Sequence, residues 1–217
     1  MTFWSQAWQD ECVINMLNFK KNGFFIDIGS GGGTGQSNSY FFESEMGWQG
    51  ICVERGVGYT EHYKEHRSTC TFLNEDATLI DYKALLEQKQ YPKRIDYLSV
   101  DIDESSAKVL EILPLNDYRF SIITTEHDGY RFGDTLRSIE RDIFNKHSYT
   151  LLCSDVLVPL GCGMGPDLPF EDWWVDSRVF DMDKLHRICG PKQYPDDIAK
   201  ALRAMPDVYY SPSKEQV

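Results

Sequence analysis

Apolar residues recur along this chain in two alternating rhythms. From Ser5, a helical spacing runs through Trp8, Cys12, Val13, Met16 and Leu17 and stops near Gly23, with Ser5 placed to cap it. Phe24-Phe25-Ile26-Asp27-Ile28 is then a short apolar run of the kind a buried strand shows. The alternation continues. It predicts a helix over 37–46 stopped by Gly47, a strand at 50–54, a helix at 58–66 and a strand at 70–73. An amphipathic helix over 79–89 follows, then a strand at 95–100 ending in Asp101 and a helix over 105–113 ended by Pro114. A strand at 120–125, a helix over 134–146 and a strand at 149–153 complete the regular part.

Strands alternating with helices at this spacing predict a parallel, doubly wound α/β sheet. In such sheets the ligand sits outside the carboxyl ends of the strands, so the residues just after each strand are the ones to inspect. The rhythm changes after 154. Residues 160–170, LGCGMGPDLPF, predict a loop near the site, and 171–175, EDWWV, a last strand. The tail carries Pro191, Pro195, Pro206 and Pro212 and room for one helix over 196–204. We find no internal repeat. The 217 residues fit one domain, residues 1–176, with residues 177–217 as an extension packed on it.

Charge narrows the function classes. Lys plus Arg is 22 against 34 Asp plus Glu, a net −12. That balance argues against a nucleic-acid partner, which draws on clustered cations, and against an anionic membrane. A hydrophobic fraction of 41% sets the chain apart from a disordered acidic one. The N-terminus, MTFWSQAWQDECV, has no leader pattern, and no apolar stretch is long enough to cross a bilayer. The six cysteines form no CxxC pair, and Cys52 and Cys153 sit in apolar runs as small buried hydrophobes. A reducing cytoplasm is the expectation.

The chemistry begins at Asp27-Ile28-Gly29-Ser30-Gly31-Gly32-Gly33. A strand that must turn at once and let a ligand approach its backbone needs glycines. A dinucleotide fingerprint, GxGxxG, fails here because Thr34 stands at its sixth position. The spacing is DxGxGxG instead. An acid two residues before the first glycine suits a cationic ligand, an amino group or a sulfonium, better than a pyrophosphate. Glu54, about 20 residues on, can accept hydrogen bonds from both hydroxyls of a ribose. Asp76, in Asn74-Glu75-Asp76-Ala77, can accept from an adenine amino group or simply form a turn.

Taken in order, these residues resemble class I S-adenosylmethionine-dependent methyltransferases, and more closely the FkbM-like family among them. The resemblance rests on SQAWQDE, FFIDIGSGGGTGQSNSYFFE, GWQGICVE, IDYLSVDID and PFEDWWV, and covers about residues 5–176. The family often continues its fourth-strand motif as D-x-E-G-A-E or D-x-D-G; here it reads Asp101-Ile102-Asp103-Glu104-Ser105-Ser106. The resemblance implies a Rossmann-like class I methyltransferase fold, a mostly parallel seven-stranded sheet with helices on both faces. It implies S-adenosylmethionine as cofactor. Asp27, Gly29, Ser30, Gly31 and Gly33 would line its methionine end, Ser37 and Asn38 would fix the turn, Glu54 would hold the ribose and Asp76 would lie near the adenine. The implied acceptor is a hydroxyl of a sugar or another small, polyol-like metabolite.

Methyl transfer to a hydroxyl needs an aligned acceptor and a base. Asp101, Asp103, Glu126, His127 and Asp128 all follow strands four and five. Two designs are open. His127, or a carboxylate among Asp101 and Asp103, acts as the base. Alternatively, Asp101, Asp103 and Asp128 hold a divalent cation such as Mg²⁺ that acidifies the hydroxyl. Glu126, Tyr130 and Trp173 are candidates for contacting the acceptor; an aromatic face suits a sugar ring, although sheet packing also accounts for Trp173 and Trp174. An NAD-dependent oxidoreductase and a non-catalytic cofactor-binding module are the rival readings.

Overall fold

Strand β1 (Phe24–Ile28) lies between two parallel neighbours, β2 (Gln49–Val53) and β4 (Arg94–Val100). This central place is why its sequence is nearly all apolar: both faces are covered. The computed structural model describes residues 1–158, 167–205 and 207–209. Further strands are β3 (Thr71–Leu73), β5 (Arg119–Glu126), β6 (Thr150–Val158) and β7 (Leu168–Val175), and the sheet runs β3-β2-β1-β4-β5-β7-β6. The strand order reverses between β1 and β4, which places the switch point at the carboxyl ends of those two strands. Seven strands, mostly parallel, with helices on both faces match the expectation.

β7 departs from the parallel pattern. It pairs antiparallel with both β5 and β6, from Ile122 opposite Val175 to Glu126 opposite Glu171. It begins at Leu168, three residues before the expected strand, so Leu168, Pro169 and Phe170 are strand rather than loop. Most of the predicted Gly/Pro loop, with Cys162, lies outside the described residues. β6 likewise extends past Cys153 to Val158, with register shifts at Cys153 and Val156.

The pleat divides the core. Phe25, Cys52, Tyr97, Trp173 and Val175 join one layer with α1 (Gln9–Met16), α2 (Tyr40–Met46) and the C-terminal helices α8 (Met182–Ile188) and α9 (Pro195–Ala204). Ile26, Ile28, Val100, Ile123 and Trp174 join the other with α4 (Tyr82–Gln88), α5 (Ser106–Ile112) and α7 (Asp134–Lys146). Neighbouring tryptophans thus face opposite ways, as the period of a strand requires. The tail is tied back onto α1: Arg203 Nη1 donates to Glu11 Oε1 at 2.5 Å, and Cys12 Sγ lies 3.6 Å from the Pro195 carbonyl.

Local hydrogen bonds move several helix starts. Ser5 does not cap α1; its hydroxyl donates to Asp10 Oδ1 at 2.6 Å, and Trp8 at the cap position takes a left-handed φ of 55°. α2 starts at Tyr40 because Ser37 Oγ accepts from the Ser39 and Tyr40 amides first. α4 waits until Tyr82, where the Asp81 carboxylate accepts from the Ala84 amide. α3 (Tyr59–His66) and the short α6 (Gly129–Phe132) complete the helices. No helix among the described residues is long and apolar enough to cross a membrane.

Candidate cofactor cleft and acceptor site

Two cavities of about 270 and 280 Å³ open at the switch point and share Gly29 and Asp101 as walls. Glu54, Asp76, Ala77 and Ile102 line the first. Asp27, Ser30, Gly31, Ser37 and Asn38 line the second, together with Gln6 and Tyr59. Gly29 is where the two chambers meet. A Cβ there would stand 1.7 Å from the Asp101 carbonyl oxygen, and its φ of 87° is unfavourable for any other residue. Gly33 lines neither cavity; it lets the Tyr63 ring pack beneath the turn, where a Cβ would lie 2.7 Å away. Tyr63 in turn donates to Ser30 Oγ at 2.7 Å, so Ser30 is fixed from behind.

The acids at this edge differ in how they are held. Glu54, at the end of β2, accepts from the Gly31 amide at 3.1 Å and the Gly56 amide at 2.6 Å, which fixes the carboxylate over the turn. Asp76 lines the first cavity, but its Oδ1 is occupied by the amide and hydroxyl of Thr78 at 2.9 and 2.8 Å. Those bonds to Thr78 lower its pKa. Asp76 therefore caps a 3₁₀ turn (Ala77–Leu79) while it faces the cavity. Asp27 is buried; desolvation pushes it up to about 6, against hydrogen bonding from Ser39 at 2.5 Å and the charge of Arg67. Asn38 donates to Ser99 Oγ at 3.0 Å.

Beyond Asp101 the carboxylates crowd. Burial, then hydrogen bonding and charge from Asp101 and Asp128, push Glu126 up to about 12, so it holds a proton at neutral pH. Asp101 is raised too, mainly by burial, with Asp103, Asp128 and Glu54 adding repulsion. The set Asp101, Asp103 and Asp128 expected to hold a divalent cation does not converge: the one group of metal-capable side chains among the described residues is His127, Asp155 and Asp172. A guanidinium stands between two of the expected ligands instead. Arg131 Nη1 donates to Asp103 Oδ1 at 2.6 Å and Asp128 Oδ2 at 2.8 Å, and both aspartates take left-handed backbone to reach it.

His127 lines neither cavity. Its ring is fully buried, and Nδ1 accepts from the Gly129 amide at 3.0 Å. In the neutral ring the proton is therefore on Nε2, which points between Asp172 and Asp155 at 3.5 and 3.7 Å. That tautomer suits neither a base toward the cleft nor a metal ligand, which would need the Nε2 lone pair. The two carboxylates are already neutralised: Arg141 bridges both, and Arg137 pairs with Asp155. Trp173 is also corrected. Its indole is buried in the core and donates to Glu171 Oε1 at 2.5 Å, so sheet packing is its role. Tyr130 is exposed, beside Asp128, and lines neither cavity.

Arg67 and Gln6 are residues at the site that sequence reasoning passed over. Arg67 is buried and donates to the Gly33 carbonyl, Ser37 and Ser39 while pairing with Glu43 at 2.7 Å. Nothing local marks it, since these partners lie 24 to 34 residues earlier in the chain. Gln6 carried a signal in the N-terminal SQAWQDE motif, which the parallel bridge of Ser5 to Gln36 brings onto the glycine turn.

No protein-family model matches the chain, and no curated protein matches it. Solved structures do resemble it in fold. An O-methyltransferase from Bacillus cereus, in complex with S-adenosylhomocysteine, gives a TM-score of 0.53 at 13% identity over 77% of this chain and 80% of that one. A candidate rRNA methylase from Clostridium thermocellum gives 0.52 at 11% identity over 81% and 99%. A candidate O-methyltransferase from Klebsiella pneumoniae gives 0.52 at 14% identity over 81% and 83%. The chain has the Rossmann-like fold of class I methyltransferases. That fold does not choose the acceptor.

Proposed function

We propose that the chain is an S-adenosylmethionine-dependent methyltransferase of the FkbM-like kind, acting on a hydroxyl of a sugar or another small polyol-like metabolite. The observation that carries this reading is the paired cavity: Glu54 fixed over one chamber, the Asp27–Gly31 turn lining the other, and Gly29 between them. These residues fit the cofactor. A carboxylate at the end of β2 suits a diol, a buried acid below the turn suits a cation, and Ala77 and Ile102 give the first chamber apolar wall. When bound, S-adenosylmethionine supplies an electrophilic methyl group on a sulfonium. Asp101 is assigned as the base that takes the acceptor's hydroxyl proton, because its raised pKa brings it nearer the working range. Glu126 keeps its own proton and donates a hydrogen bond within the cluster. Arg131 and Tyr130 border the acceptor's entry. Five described cysteines are free thiols, which suits a reducing compartment such as the cytoplasm.

Calorimetry with S-adenosylhomocysteine and with NAD tests the cofactor. Binding of the first alone is expected, weakened by about 1–3 kcal/mol in Glu54→Ala. NAD binding, or unchanged affinity in Glu54→Ala, overturns the assignment. Formation of S-adenosylhomocysteine with a panel of glycosides then tests catalysis. Binding with no turnover across the panel favours the non-catalytic module.

A further inference from the structure

At the opposite edge of the sheet, an acidic protein has built a basic cleft. It has a volume of about 400 Å³ and is lined by Asn116, Arg119, Lys146, Ser148, Ser177 and Arg178, with no carboxylate among the described residues of its wall. Arg119 begins β5, Lys146 ends α7, and Ser177 and Arg178 follow β7. β5 is eight residues long, so the cleft lies about 25 Å from the cofactor chambers.

The charge behind the cleft is unbalanced by design of the fold. Asp176 is buried, and three arginines converge on it: Arg94 at 2.7 Å, Arg178 at 2.8 Å through both Nε and Nη2, and Arg119 at 3.4 Å. One carboxylate cannot neutralise three guanidiniums, so two positive charges stay unmatched, and Lys146 adds a third with no acidic partner among the described residues. His147 titrates low, because burial and then the charges of Lys146 and Arg119 oppose a further proton. The arginines differ in availability. Arg94 is enclosed and Arg119 is engaged with the His147 and Ser148 carbonyls, whereas Arg178 is 62% exposed. Asp176 holds the Arg178 guanidinium in a fixed plane at the rim, which removes much of the entropy a free arginine would lose on binding. Ser148 and Ser177 hydroxyls and the Asn116 amide add neutral donors.

We propose that this cleft binds a phosphate group, either free phosphate or a phosphomonoester. The match is chemical: a compact dianion with several acceptor oxygens meets a planar guanidinium fork, a mobile ammonium and hydroxyl donors, with no acid lining the cleft to repel it. The site is independent of the methyl-transfer reading.

Titration of the full chain with inorganic phosphate and, separately, with glycerol phosphate, at ionic strength held constant with chloride, tests the proposal. Saturable one-to-one binding is expected, about tenfold weaker in Lys146→Glu and weakened similarly in Arg178→Ala. Lys146 is exposed, and Arg94 and Arg119 still hold Asp176 in the second variant, so both are expected to fold. Unchanged S-adenosylhomocysteine affinity in both variants is the control. Tighter binding of glycerol phosphate identifies the ester as the preferred form, and equal affinities identify the phosphate group itself; both support the site. No binding beyond the chloride control, binding weaker than about 10 mM, or full affinity in Lys146→Glu overturns it. Binding of a single-stranded RNA without phosphate binding also overturns it, in favour of a nucleic-acid surface.

Discussion

Two groups of buried acids in this molecule are held in opposite ways. At the carboxyl ends of β1, β4 and β5, burial raises Asp27, Asp101 and Glu126 above the usual carboxylate range. On β7 and just after it, burial acts in the same direction on Asp172 and Asp176, but arginines reverse it. Hydrogen bonds from Arg141, with His127 and the Asp155 amide nearby, bring Asp172 down to about 2, and Arg178 and Arg94 hold Asp176 well below the usual range. The second group is complete as far as its carboxylates go: each has cationic partners within the fold, and Asp176 has more of them than it can neutralise. The first is short of positive charge, so it stores protons and is prepared for a cationic ligand. Incomplete pairing of acids marks the candidate cofactor edge, and complete pairing of acids braces the fold.

The largest expected effect probes the incomplete group. Asp101→Asn should lower the rate of S-adenosylhomocysteine formation on an accepted glycoside by about 10²–10⁴-fold. Cofactor affinity should persist, since Gly29 meets the Asp101 backbone and not its side chain. An unchanged rate would remove Asp101 from the chemistry. The next effect probes the complete group. Asp176→Ala strands three arginines and should cost about 3–5 kcal/mol in urea unfolding. A loss below about 1 kcal/mol would make the cluster an ordinary surface pair.

The smallest effect tests where the boundary between the groups lies. Glu140 on α7 is buried, both its oxygens lack partners, and desolvation followed by repulsion from Asp172 pushes it up to about 8. A carboxyl raised above its ordinary 4.5 binds more protons folded than unfolded between those values. The native chain therefore loses stability as pH rises from about 5 to 8. Glu140→Gln removes that titration, so its stability advantage should widen steadily over the same interval. Melting curves at both ends of the range measure it; a constant gap would mean that Glu140 is already ionised and paired.

Much of this was legible in the chain. β1, the glycine turn and Glu54 are encoded within short windows, because a buried strand, a positive-φ turn and a strand-end acid are local properties. The parallel, doubly wound character of the sheet followed from the alternation of strands with helices, whereas the order of its strands is a tertiary result. The amino-acid sequence thus determined the parallel sheet, the edge at which its two cavities open and most residues of the candidate cofactor cleft. Tertiary structure decided the rest. The antiparallel entry of β7 buried Trp173, and the pairing of β6 with β7 brought Asp155 and Asp172 beside His127. Arg131 took the place expected for a metal, and Arg67 and the three arginines on Asp176 found partners across separate segments. Long side chains reach their partners across gaps that no sequence window spans, so which acids remain unpaired is settled only when the strands are side by side.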